Sequence, residues 1–205
     1  MMKHTYTMIA AGGFALAAAI GTNISPVEAD SDIASNSQLK GKYAGINSGA
    51  CLVALSGFNE NDQPIDPTTS FSNVFSADVV FTFDGHGRGN ANFTTYTELR
   101  VPGTNASFVP LQSLSTAEGN FTYSVGPKHT VTVTLTDLTH KIFTGISAGS
   151  TAVIDHIALD GHLGTNGLTL VKTDGAAEIV TPSAGSPRQR ICERSFVLLS
   201  DRERS

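Results

Sequence analysis

Residues 77–97 read ADVVFTFDGHGRGNANFTTYT, and this stretch decides the fold class. Val79, Phe81 and Phe83 share one face under the two-residue period of an extended strand, and Phe93 resumes an apolar row further on. Between these rows, Asp84-Gly85 with Gly87 and Gly89 supplies the positive φ angles that a tight reversal requires. The arms are rich in aromatic and β-branched residues, so the stretch reads as a β-hairpin.

The same design recurs on both sides of it. Downstream, Phe121, Tyr123 and Val125 alternate with Thr122 and Ser124, Gly126-Pro127-Lys128-His129 turns the chain, and Val131, Val133 and Leu135 alternate with threonines that suit a solvated outer face. A third copy runs from Thr151 to Thr173 as strand, Asp160-Gly161-His162 turn and strand. Upstream, Gly41 to Ile46 reads as a first strand and Cys51 to Leu55 as a short second piece. The polar segment Ser56 to Ser70 is a long loop with two readings of equal weight: a lid formed by folding back Phe58, Phe71 and Phe75, or an insertion pinned by one or two aromatics. Val101 to Asn105 is a turn by its Pro-Gly pair, and Ser107 to Leu114 is an edge strand because of Pro110. A short Ile179-Val180 piece, a loop from Pro182 to Pro187 and a strand from Arg190 to Leu199 complete the chain. That last strand is apolar on both faces at Phe196-Val197-Leu198-Leu199, which predicts cover on both sides.

No segment has the periodicity of an amphipathic helix. About eight to ten strands joined mainly by short turns predict an all-β fold, a single antiparallel closed β-barrel over residues 39–200, with a two-sheet β-sandwich as the alternative. Closure removes the exposed edges that a long Thr-rich sheet would present to other chains.

Of the 205 residues, 40% are hydrophobic and 15% charged, and the formal net charge is −5. That balance gives no protein-wide attraction to nucleic acid or anionic lipid. The local group Arg188, Arg190 and Arg194 is interrupted by Glu193 and reads as a solvated strand end. Residues 1–29 read as a signal peptide: Lys3 opens a positive start, Met8 to Ile20 is apolar, and Val27-Glu28-Ala29 carries small residues where a signal peptidase cleaves. The apolar run is shorter than the ~20 residues needed to span a bilayer. A soluble secreted or periplasmic protein is therefore expected, with residues 30–38 a disordered lead-in and 201–205 a tail. Export places the two cysteines where disulfides persist. A Cys51 to Cys192 bridge is the expected state, with two buried free thiols as the alternative.

Gly41-Lys42-Tyr43 together with Arg194 resembles the calycin, or lipocalin-like, arrangement, in which a Gly-x-Trp on the first strand is packed by a basic residue from late in the barrel. Over more of its length the chain is similar to uncharacterised exported bacterial proteins that combine a Gly-x-Tyr start, an Asp-Gly-x-Gly hairpin (Asp84 to Gly87) and a closing Cys-x-Arg-Ser strand (Cys192 to Ser195). Both resemblances imply one exported β-barrel domain. Neither implies an activity.

No motif assigns a chemistry. There is no Gly-x-Ser-x-Gly elbow and no phosphate loop, and Gly85, Gly87 and Gly89 precede a strand where a dinucleotide fold needs a helix. His86, His129, His140, His156 and His162 lack the short local spacing of metal ligands. No catalytic residue, metal or cofactor is therefore assigned. Asp155-His156 lies inside an expected strand, so one of the pair should point inward and need a partner. Two functions are consistent with this reading. One is a barrel that binds a small apolar or amphipathic ligand, lined by Phe81, Phe83, Phe93, Phe121, Tyr123, Val133 and Leu135. The other is a cell-envelope structural or protein-interaction module acting through surface loops, with an isomerase of a hydrophobic substrate third.

Overall fold

Alternation of inward apolar and outward polar residues makes each strand half-buried, and the computed structural model, which describes residues 35–100, 111–172 and 175–201, joins these strands into one sheet that closes on itself. Nine strands run in order: β1 (Lys40–Ala54), β2 (Ser70–Asp84), β3 (Arg88–Arg100), β4 (Leu111–Val125), β5 (Thr130–Ile142), β6 (Thr151–Leu163), β7 (Gly167–Lys172), β8 (Glu178–Pro182) and β9 (Arg188–Ser200). Each pairs antiparallel with its neighbours, and β9 returns to β1 to close an eight-position barrel. β7 and β8 share one position: both lie between β6 and β9, β7 against Asp160–Leu163 and β8 against Ala152–Ile154. The sandwich alternative is excluded by this closure. Among the described residues there is no α-helix, and no helix is long and apolar enough to cross a membrane.

The two ends of the barrel differ. At one end the short turns after β2, β4 and β6 gather, and the interior is filled by rings. Phe81 lies 5.2 Å from Phe121, 5.8 Å from Phe196, 5.9 Å from Phe93 and 6.0 Å from Phe83, ring centre to ring centre. Edge-on and offset contacts of this kind add to the burial of aromatic surface. Gly89 makes room for them, because a Cβ there would strike the Phe121 ring. The last residues of the lead-in are ordered: Asn36–Gln38 form a single 3-10 turn that caps this end, with Leu39 fully buried beneath it. Tyr123 Oη donates to the Leu39 carbonyl at 2.7 Å, and Val125 N donates to Asn36 Oδ1 at 2.9 Å.

Three expectations are corrected. Asp160-Gly161-His162 is not a turn but lies within β6, and the reversal falls at residues 164–166. Gly161 is required there by the neighbouring strand, since a Cβ would run into the Thr169 carbonyl. Among the described residues nothing covers the outer face of β9 at Val197 and Leu199, which are 50% and 62% exposed. Tyr43 and Arg194 do not pack together as the calycin resemblance implies: Tyr43 lies against Phe83 at 5.3 Å, whereas Arg194 stands over the Phe75 ring at 5.5 Å. The signal peptide at 1–29, the turn from Val101 and the first residues of the strand from Ser107 lie outside the described residues, as do the last four of the tail.

Cys51 and Cys192 face each other in register across β1 and β9 and form a disulfide. A disulfide is the mark of an oxidising, extracytoplasmic compartment.

Candidate functional site

A shift of phase in two strands creates the open half of the barrel. On β5, Val131, Val133 and Leu135 point inward, then Asp137 takes a positive φ of 51° and the ladder to β4 slips by one residue. After this bulge the inward set becomes Leu138, His140 and Ile142. β6 changes phase at the same level, because Ile157 and Leu159 are buried on one side of Asp155-His156 and Ile154 and Ala152 on the other. Asp155 and His156 therefore both lie outside. The expectation that one of them turns inward is corrected: Asp155 binds the His156 ring at 2.9 Å and accepts the Ile179 N–H at 2.9 Å, pinning the outer surface of the bulge.

Beyond the bulge the interior is a cavity of about 400 Å³. It lies at the end opposite the ring-filled one, bordered by Ile146 and Ser147 of the β5–β6 connection and by Arg188 at the start of β9. Its apolar wall is carried mainly by Phe71, Phe75, Phe93, Leu138, Ile154 and Val180; its polar lining includes Asn47, Asn73, His140, Arg188, Arg190 and Arg194, together with Gln112 and the hydroxyl residues Thr95, Thr97, Ser113, Ser115 and Ser147. This is the composition of a small-molecule pocket, mostly apolar with a few convergent polar groups. Among the described residues, no Asp or Glu side chain lines it, and no three His, Cys, Asp or Glu side chains come together as a metal site.

The arginines enter because β9 keeps one phase throughout. Arg188, Arg190, Cys192, Arg194, Phe196 and Leu198 share the inner face, so the reading of these arginines as a solvated strand end is corrected. Their counter-ion comes from the break between β7 and β8. Glu178, the first residue of β8, is 1% exposed, with Arg194 Nη2 at 2.7 and 2.8 Å from its two oxygens and Arg190 Nε at 2.7 Å. At the other side of the break, buried Lys172 donates to the Ala176 carbonyl at 2.9 Å. The second face of Arg194 is covered by Phe75, a cation–π contact. Burial nevertheless pulls the Arg194 guanidinium down to about 10, against the opposing pull of Glu178.

Among the described residues, four polar atoms on residues that line this space are themselves buried and have no hydrogen-bond partner: Asn47 Oδ1, Asn73 Oδ1, His140 Nε2 and Arg194 Nε. Such orphans are uncommon in folded proteins and each is costly to leave unpaired. His140 is pushed down to about 3, first by burial and then by the positive fields of Arg190 and Arg194. Its imidazole is therefore neutral in the folded protein.

No protein-family model, no curated protein and no solved structure matches the chain. Of the lining residues chosen from the sequence, the structure places Phe93 on the cavity wall. Phe81, Phe83, Phe121, Tyr123, Val133 and Leu135 are buried in the ring-filled half. The lid residues also divide: Phe71 and Phe75 belong to β2 and form part of the wall, while Phe58 N is held by Gln189 Oε1 at 3.0 Å in the loop. The polar residues of the cavity were missed. For the arginines a signal existed, the shared even numbering with Cys192, Phe196 and Leu198. For His140 none did, because an unbroken two-residue period from Leu135 puts it outside.

Proposed function

We propose that this protein binds a small amphipathic molecule in the open half of its barrel. The observation that carries this reading is the cavity of about 400 Å³, apolar over most of its wall, whose lining includes three arginines, His140 and two asparagines. A core closed for stability alone fills its volume to native density and pairs its polar groups, as the other end of the same barrel does. The disulfide supports a place of action outside the cytoplasm. The test is native mass spectrometry of protein purified from its own host, followed by solvent extraction. A mass in excess of the polypeptide, removed by extraction and recovered as a small molecule, is expected. The polypeptide mass alone, from protein that also takes up no added amphiphile, would overturn the reading.

A further inference from the structure

Resting on that binding reading, we propose that the ligand is an anionic amphiphile whose charged group enters first and seats among the arginines and His140 that line the cavity, its apolar body lying toward the mouth. The cavity wall carries three guanidinium groups and no carboxylate among the described residues. Glu178 stands behind the arginines and is engaged by two of them, Arg190 and Arg194. Arg188 has no ion-pair partner among the described residues. The interior is left with an excess of positive charge that an entering anion would neutralise.

The arginines also have an order. Arg188 pairs with Val180 near the rim, Arg190 with Val53 one step further in, and Arg194 with Gly49 deeper still. Successive inward positions on a strand are roughly 7 Å apart, so positive charge runs from the mouth to the inner wall along a single strand. In a cleft with low-dielectric walls such a row draws an anion inward.

Other ligand classes fit poorly. A neutral apolar molecule would cover the guanidinium groups that line the wall and offer them nothing in return. A cation would meet three guanidinium groups with no free carboxylate. An anion accepts from the N–H groups of the arginines that line the wall, and the side chains of Asn47 and Asn73 lie on the same wall for a polar atom next to the charge.

Isothermal titration of the full chain with dodecanoate, dodecanol and dodecyltrimethylammonium, which share one tail and differ in the head, tests this. Dodecanoate is expected to bind about tenfold or more tightly than dodecanol, the value of a charge-assisted hydrogen bond, and the ammonium not at all. His140→Leu should narrow the gap between acid and alcohol. Arg188→Gln, outside the Glu178 cluster, should weaken the acid more than the alcohol, and it serves if the first variant fails to fold. Equal binding of all three molecules would overturn the anionic ligand and leave the cavity reading intact. Binding of none would overturn both. An acid preference unchanged in folded forms of both variants would overturn the placement of the charge.

Discussion

Glu178 holds two guanidinium groups at a depth where water cannot replace it. Pairing of this kind is poor evidence of net stability, but removing one partner leaves uncompensated charge in the interior. Glu178→Gln is therefore expected to cost about 3–5 kcal/mol, read from the midpoint of a urea transition at constant slope. An unchanged midpoint would mean that Arg190 and Arg194 reach solvent without it. His140 gives a second test at this scale. Its folded-state value of about 3 lies below the ordinary 6.5, so between these limits the unfolded chain takes up a proton that the folded protein refuses. Stability is then complete above pH 6.5 and falls with decreasing pH by about 1.4 kcal/mol per pH unit, levelling off below pH 3. His140→Leu should remove that slope, and a variant with the wild-type slope would assign it to other groups.

At the scale of elements, the bulges and the interrupted stave shape the cavity. Asp137 and the Asp155-His156 pair let β5 and β6 change phase together, which keeps apolar residues inside on both sides of the irregularity and turns His140 inward. The break between β7 and β8 does the same for Glu178. Gly161 shows how closely the regular parts fit. Gly161→Ala places a methyl group against the Thr169 carbonyl of β7, and a loss of about 1–3 kcal/mol is expected from such overpacking. Hydrogen exchange would check it, with faster exchange expected at the β6–β7 ladder before the β4–β5 ladder.

At the scale of the whole molecule, the disulfide joins two residues 141 positions apart in sequence, at the seam where the barrel closes. Cross-linking over such a span restricts the unfolded chain by up to about 5 kcal/mol. Reduction, or Cys51→Ser with Cys192→Ser, should lower the urea midpoint by a corresponding amount, and equal midpoints with and without reductant would show that closure does not depend on the bridge. The closing pair was legible in the sequence because only two cysteines are present, and the strands were legible because alternation is local: Val79, Phe81 and Phe83 need no distant residue to declare their face. The hairpin at Asp84 was legible for the same reason, its carboxylate accepting the His86 and Arg88 N–H groups within one turn. The site was not. Whether an inward aromatic fills the barrel or borders a cavity depends on what stands across the interior, and Phe81 meets other rings while Phe75 meets Arg194. A bulge reverses the phase of every later residue in its strand, and nothing in Thr136-Asp137-Leu138 taken alone requires one. Strand alternation is thus a property of the chain, whereas the partner across the barrel and the phase at which it arrives exist only once the sheet has closed.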